Sequence, residues 1–187
     1  MGKDVATDDD SGLLRRARIG DRSAFEAIVR THQSAALRLA AAVGGDATEA
    51  GDIVQEAFVR AYGQLHTVRD GDALRPWLLR IVANQAKNSR RSRWRREART
   101  QRQAALRISE PTGPDEVALG GIEARVLLHA VTSLPEIDRT IIGCRYFAGL
   151  TEAETAATLG IAAGTVKSRT ARALGRLRTR LDEEGGS

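Results

Sequence analysis

The chain has almost no cysteine, few aromatic residues and no long apolar run. Cys144 is the only cysteine among 187 residues, so no disulfide can form within the chain. His32, His66 and His129 lie far apart and do not have the spacing of metal ligands. No run approaches the roughly 20 apolar residues that cross a bilayer, and the N-terminus lacks an apolar export signal. We therefore expect no metal, no cofactor and no membrane insertion, and a cytoplasmic location.

Signals for β-structure and for catalysis are missing as well. Aromatic residues make up 4% of the chain, and no alternating Val, Ile and Thr run is bounded by turn residues. Ala, Arg, Leu and Glu recur throughout, which favours helices. The predicted fold class is all-α. An enzyme acting on nucleic acid would need clustered carboxylates or metal ligands, and since the sequence shows none, we assign no catalytic residue and expect no enzyme.

What the chain does contain is positive charge in two blocks. The formal net charge is +5 and the isoelectric point is near 10.1, although acidic residues gather close to both termini. Between Arg75 and Arg107 there are eleven Lys or Arg residues and one acid, Glu97. A second basic block occupies the last predicted helix. Two separate basic blocks indicate a polyanion that is contacted in two places.

The second block lies in a predicted helix-turn-helix between Thr151 and Arg180. Thr151 and Glu154 predict a capping box for a short helix, and Gly160 supplies the turn that follows it. Short polar and basic side chains near the start of the next helix can reach base edges and phosphates together. An ordinary hairpin with a solvated basic face is the alternative, and the combination of features favours DNA binding. The candidate DNA contacts are Thr165, Lys167, Ser168, Arg169, Arg172 and Arg176.

The N-terminal half predicts a helical bundle with one unusual face. Ser23 and Glu26 predict a capping box for a long helix, and a second amphipathic helix follows. That second helix shows Asp52, Gln55 and Glu56 on the side away from its apolar residues. Pattern alone favours a solvated face, and the alternative is a docking surface for a basic partner.

A third helix, from about Ala73, begins apolar and ends strongly basic. Asn84, Lys87, Asn88 and Arg91 follow its apolar turns. Amide side chains suit base edges and arginine neutralises phosphate, so this helix also indicates nucleic acid.

Composition divides the chain into four parts. Residues 1–10 are polar and acidic, and we expect a disordered leader. Residues 11–98 form the first predicted helical domain, and residues 122–183 form the second. The segment 99–121 between them ends in a stretch rich in Pro and Gly, so it is predicted to be a flexible linker.

Three of these segments resemble the sigma factors of bacterial RNA polymerase, specifically the small extracytoplasmic-function (ECF) group that keeps only domains 2 and 4. The segment from Asp52 to Tyr62 is similar to the part of domain 2 that docks on the beta-prime clamp helices. The segment from Trp77 to Asn88 is similar to the −10 recognition segment. The segment from Leu134 to Arg169 resembles domain 4, whose helix-turn-helix reads the −35 element.

The resemblance implies a specificity subunit that binds core polymerase and directs it to promoters. The implied partners are core RNA polymerase, through the beta-prime clamp helices and the beta flap, promoter DNA, and an anti-sigma factor. The residues implied for docking on core polymerase are Asp52, Gln55, Glu56 and Phe58. Those implied for the −10 element are Val68, Arg80, Asn84, Lys87, Asn88 and Arg91, and the candidate DNA contacts of the last helix are implied for the −35 element.

A free-standing helix-turn-helix regulator with an N-terminal sensing or dimerisation domain is the alternative. It explains the segment from Thr151 to Arg180 equally well. It gives no role to the face formed by Asp52, Gln55 and Glu56, or to the basic helix that follows Asn84.

Overall fold

The computed structural model describes residues 7–68, 73–104 and 122–185, and all regular structure within them is helical. A 3₁₀ turn (Leu65–Thr67) follows α3, and a π-helical turn (Gly143–Phe147) continues α6. The predicted all-α fold is therefore confirmed. The helices are α1 (Thr7–Arg18), α2 (Arg22–Gly44), α3 (Ala50–Gln64), α4 (Leu74–Ala104), α5 (Ile122–Thr132), α6 (Glu136–Ile142), α7 (Glu152–Leu159) and α8 (Ala163–Gly185).

Helices α1 to α4 form the first half of the molecule around α2. Ile28, Ala36 and Leu39 of α2 are fully buried, and α3 and α4 pack against them. Leu78 and Val82 of α4 complete this core. The apolar residues repeat at helical spacing, and the face that they form on each helix packs into the common core.

The local helix signals are only partly as predicted. The capping box of Thr151 and Glu154 is confirmed, with the Glu154 amide donating to Thr151 Oγ1 at 3.1 Å and the Thr151 amide donating to Glu154 Oε2 at 2.8 Å. At α2 the predicted box of Ser23 and Glu26 is wrong. Asp21 caps the helix instead, because its Oδ1 accepts from the Ala24 amide at 3.2 Å while Ser23 donates its hydroxyl to the same oxygen.

Two predicted boundaries also change. Helix α1 already begins at Thr7, so the predicted disorder is wrong for residues 7–10; residues 1–6 lie outside the described residues. Asp10 is 8% exposed and its Oδ1 lies 3.3 Å from His32 Nε2, which ties this end of α1 to α2. Helix α4 continues to Ala104, past the predicted boundary at 98, and the rest of the predicted linker, 105–121, is outside the described residues.

Helices α5 to α8 form the second half, which packs against the first. The π-helical turn lies on α2, and Cys144, Ala148 and Leu150 join the core of the first half. Gly143 allows this close approach, because a Cβ at that position would stand 3.0 Å from Leu39 Cδ1 and 3.1 Å from Val43 Cγ2. The sequence predicted two separate domains and did not predict this contact.

A buried arginine of α6 binds three backbone carbonyls where the two halves meet. Arg139 is 4% exposed, and its Nε donates to Val43 O of α2 at 3.1 Å. Its Nη1 donates to Thr132 O and Leu134 O, each at 3.1 Å. Burial, together with the nearby charge of Arg90, lowers the pKa of Arg139 to about 10. The group stays charged at neutral pH, and the negative ends of two helix dipoles stabilise that charge.

We predict that Cys144 is unreactive in the folded protein. It is fully buried, and burial raises the pKa of its thiol to about 12, whereas the thiolate is the form that reacts. Iodoacetamide labelling at pH 8, followed by mass spectrometry, should be much slower for the native protein than for the same protein in urea. Equal labelling rates in the two states would contradict the buried position between the halves.

Candidate polymerase and DNA interfaces

A mostly apolar groove of about 620 Å³ runs between α2 and α3. Phe25 of α2 and Tyr62 of α3 meet edge to face within it, with ring centroids 4.9 Å apart. Val59 is 68% exposed and Tyr62 is 41% exposed, so apolar surface remains open to a partner. Sequence reasoning missed this groove, since the apolar positions that line it continue the same helical spacing as those of the core. The apolar lining is Phe25, Val29, Leu37, Val54, Phe58, Val59 and Tyr62.

Two of the four predicted docking residues line this groove. Gln55 lines its wall, and Phe58, which is 7% exposed, packs beneath it. Asp52 and Glu56 are exposed on α3, one helical turn apart, and Glu56 pairs with Arg60 at 3.1 Å. The arrangement can accept a helix that presents apolar side chains flanked by basic ones.

The predicted −10 residues of α4 lie along one side of that helix. Arg80, Asn84, Lys87, Asn88 and Arg91 follow the spacing i, i+4, i+7, i+8 and i+11, and we call this surface the α4 face. All of them except Lys87 are exposed, and Lys87 is half-buried. The first three line a cleft of about 220 Å³, whose opposite wall comes from α6 and α7 of the second half.

The arginines of the α4 face are engaged by the second half. Arg80 donates to Thr158 O at 2.9 Å and also to Ala157 O, at the C-terminal end of α7. Arg91 makes a two-pronged ion pair with Glu136, at 2.9 and 3.2 Å. The helix-end carbonyl oxygens that accept hydrogen bonds from Arg80 carry a partial negative charge. The phosphate oxygens of DNA carry a full negative charge, so the same guanidinium group can bind either kind of acceptor. Sequence reasoning did not foresee these partners, because backbone carbonyls leave no trace in a residue pattern and Glu136 lies 45 positions from Arg91.

Two further arginines of α4 that the sequence analysis did not select make similar contacts. Arg75 donates to Ala148 O at 2.6 Å, and Arg90 donates to Thr132 O at 3.1 Å. Both acceptors belong to the second half, so the basic side of α4 is a main part of the contact between the halves.

Val68 does not belong to this surface. Its side chain is fully buried in the core of the first half, beside the 3₁₀ turn, so the expectation that it meets a DNA base is wrong for this structure. The remainder of the same predicted loop, residues 69–72, lies outside the described residues.

Helices α7 and α8 form the helix-turn-helix. Gly160 adopts the left-handed conformation that the turn requires, with φ of 67°. Val166, Ala173 and Leu177 bury one side of α8. On the other sides, Lys167, Ser168 and Arg172 are exposed, and Thr165 is half-buried near the start of the helix.

Arg169 and Arg176 differ from the other cations of α8, because one buried acid binds both. Asp138 of α6 has a side chain that is only 4% exposed. Its Oδ1 accepts from Arg169 Nη1 at 2.9 Å, and its Oδ2 accepts from Arg176 Nη1 at 2.5 Å. Sequence reasoning missed Asp138, which lies 31 and 38 positions before its two partners.

Other kinds of site find no support in the described part of the chain. No group of three or more His, Cys, Asp or Glu residues there could hold a metal ion. Within the same residues, no helix combines the length and the apolar character that a membrane span requires.

Comparisons with known proteins identify the family of the chain. The family model "Sigma-70 region 2" matches residues 28–96, and "Sigma-70, region 4" matches residues 130–179. The chain is 33% identical over 172 residues to the RNA polymerase sigma factor NccH of Alcaligenes xylosoxydans xylosoxydans, covering 90% of this chain and 92% of that protein. It is 33% identical over 174 residues to the ECF RNA polymerase sigma-E factor of Escherichia coli K12, covering 88% and 90%.

Solved structures show the same fold. CnrH, in complex with the cytosolic domain of CnrY, superposes with a TM-score of 0.72 at 27% identity, covering 94% of this chain and 98% of that one. The sigma factor RpoE of Bartonella quintana, in complex with the anti-sigma factor NepR, gives a TM-score of 0.65 at 24% identity, covering 84% and 96%. The chain therefore belongs to the sigma-70 family of RNA polymerase sigma factors, within the extracytoplasmic-function group.

Proposed function

We propose that this promoter-specificity subunit binds core RNA polymerase through the groove between α2 and α3, reads the −10 element with the α4 face, and reads the −35 element with α8. The observation that carries the docking assignment is the open apolar groove beside Asp52 and Glu56. An apolar seam with acidic neighbours fits the basic, helical partner that the clamp helices of the beta-prime subunit would provide. A free-standing regulator could use this groove for sensing or dimerisation, but it leaves Asp52 and Glu56 without a role.

The second half offers a surface for the beta flap. Leu127 and Leu174 are each 40% exposed and Tyr146 is 55% exposed, although all three belong to helical segments. We assign to these side chains a contact with the beta flap, in addition to the DNA contact of α8. CnrH and RpoE were solved with CnrY and the anti-sigma factor NepR respectively, and we extend to this chain the binding of an anti-sigma factor, in the cytoplasm where polymerase acts.

The roles on DNA follow from side-chain chemistry. On the α4 face, Asn84 and Asn88 present exposed amides that can bind an unstacked base of the −10 element. Arg80, Lys87 and Arg91 supply the charge for the phosphates around it. On α8, Lys167, Ser168 and Arg172 are open to the major groove, with Thr165 and Arg176 toward the backbone and Arg169 toward a base.

Binding of both elements requires the two halves to separate. The −10 and −35 elements lie about 25 base pairs apart, which is roughly 85 Å along B-DNA at about 3.4 Å per base pair. A compact chain of this length has a radius of gyration of about 16 Å. In addition, the second half occupies the arginines of the α4 face. The packed arrangement is therefore the state without promoter DNA, and the promoter-bound state is open.

Reversal of charge beside the groove should abolish docking. The variant Asp52→Lys with Glu56→Lys places cations where a basic partner must lie, so we expect loss of co-purification with core polymerase and loss of run-off transcription on genomic fragments. A control variant, Glu152→Lys with Asp182→Lys, changes the net charge equally on the second half and should retain both. Retained polymerase binding by the first variant would refute the docking assignment. If the unaltered protein stimulates no fragment, a free-standing regulator is favoured instead.

Removal of one amide from the α4 face should impair promoter opening. In the variant Asn84→Ala, we expect permanganate reactivity of unpaired thymines near the −10 element to fall about tenfold, since one base contact contributes about 1–3 kcal/mol. Binding of the closed duplex, measured by gel shift with the same holoenzyme, should change little. Equal losses in the two assays would assign Asn84 to duplex binding.

A disulfide between the halves should trap the packed state. The Cβ of Ala42 lies 3.6 Å from a Cβ placed on Gly143, within the range of about 3.5–4.5 Å that disulfides require. In a Cys144→Ala background, Ala42→Cys with Gly143→Cys should oxidise to a cross-linked monomer that fails in run-off transcription and recovers on reduction.

The matched controls for the disulfide are the two single-cysteine variants under the same oxidation, which should remain active. Full activity of the cross-linked protein would show that the halves need not separate. The melting temperature of the variant is measured as well, because the new Cβ at position 143 lies close to Leu39 and Val43. If the cysteines fail to pair at an unchanged melting temperature, the packed arrangement is not adopted in solution.

A further inference from the structure

We propose that Asp138 is a positioning residue for the −35 element, which fixes the guanidinium groups of Arg169 and Arg176 before DNA arrives. This inference rests on the proposed role of α8. Asp138 itself does not face the DNA, because its side chain is 4% exposed beneath the recognition helix. It acts through the two arginines that it binds.

The geometry gives each carboxylate oxygen one guanidinium. Oδ1 binds Arg169 Nη1 at 2.9 Å and Oδ2 binds Arg176 Nη1 at 2.5 Å. Residues seven apart on a helix share a face but stand about 10 Å apart along its axis. One acid between them therefore draws the two side chains toward a common point, and both rest across the face of α8 instead of extending freely.

Each arginine keeps donors for DNA. A guanidinium carries five N–H donors, and the contact with Asp138 uses only the Nη1 of each. Arg169 is 35% exposed and Arg176 is 51% exposed, so part of each planar group remains open to solvent. A guanidinium held in one plane can meet a base edge or a phosphate without the entropy loss of ordering a long side chain on binding.

The acid also reduces the charge that α8 presents. Asp138 with two arginines has a net charge of +1, while Lys167 and Arg172 are exposed and have no acidic partner in the described residues. Phosphate attraction, which is independent of sequence, is thereby weakened at these two positions, and directional contacts are retained. Both effects favour discrimination between sequences over general affinity for DNA.

The substitution Asp138→Asn tests the proposal, because it removes the charge with almost no change of shape. With holoenzyme and a promoter selected by run-off transcription, the measured quantity is the ratio of initiation on the intact promoter to initiation on the same promoter with an altered −35 element. We expect this ratio to fall by about five- to 150-fold, the range for loss of one good base contact. The salt dependence of DNA binding should become steeper, since two cations are released toward phosphate.

A double variant separates positioning from general weakening. Arg169→Ala alone should lower the same ratio, and Asp138→Asn with Arg169→Ala should lower it no further, because the two changes remove the same contact. Asp138→Glu, which keeps the charge, should restore part of the ratio. Core polymerase binding should be unaffected in all of these variants.

Several outcomes would overturn the proposal. One is an unchanged ratio in Asp138→Asn. Another is an equal loss of initiation on both promoters together with a lower melting temperature, which would give Asp138 a structural role only. If Asp138→Asn does not fold, Arg169→Gln decides, since Arg176 still pairs with the buried acid; unchanged discrimination in that variant would refute the positioning role. Absence of any −35 preference in the unaltered protein would instead refute the proposed function of α8.

Discussion

Hydrogen bonds from arginine to backbone carbonyls at helix ends hold the two halves of this sigma factor together. The last four carbonyls of a helix have no partner within it, and burial without a donor would be costly. Arg139 satisfies Val43 O at the end of α2, and with Arg90 it also satisfies Thr132 O at the end of α5. Arg93, from within the first half, caps Gly44 O. The packed arrangement therefore depends on guanidinium groups as well as on the apolar core.

Arginine suits both states of the molecule because its chemistry is the same in each. The groups that bind helix-end carbonyls in the packed form are the groups that bind phosphate in a protein–DNA complex. Opening the halves exchanges one set of oxygen acceptors for another and leaves no buried donor unpaired. Arg139 is the exception, since it is buried on α6 and its carbonyl partners lie in both halves. Separation would cost the bond to Val43 O and keep the bonds within the second half.

What the sequence could predict was local. The capping box of Thr151 and Glu154 involves two residues three positions apart, and the turn at Gly160 needs only a residue that accepts positive φ. At α2 two short polar residues, Asp21 and Ser23, stand where the helix begins, and pattern alone chose the wrong one, because the two act together. The family motifs predicted functional roles for α3, α4 and α8, since their residue types and order are specific.

The rest depended on contacts between distant parts of the chain. Phe25 and Tyr62 of two different helices meet in the apolar groove, and no spacing within one helix shows which apolar residue stays open. The burial of Val68 is likewise a property of its surroundings. Asp138 has the appearance of an ordinary surface acid of a first helical turn until α8 covers it. Residue patterns record the period of each helix but not the partner of each face.

These constraints explain why function should require polymerase. Each half offers few base contacts, and two of the cations on α8 are already paired with a buried acid. We therefore expect each half alone to bind DNA weakly. Joining two weak readers raises their effective concentration only when the geometry lets both bind at once. In the proposed mechanism the packed form prevents that geometry, and core polymerase imposes it by binding both halves. A sigma factor that discriminates well but binds DNA weakly by itself is the expected result of this balance.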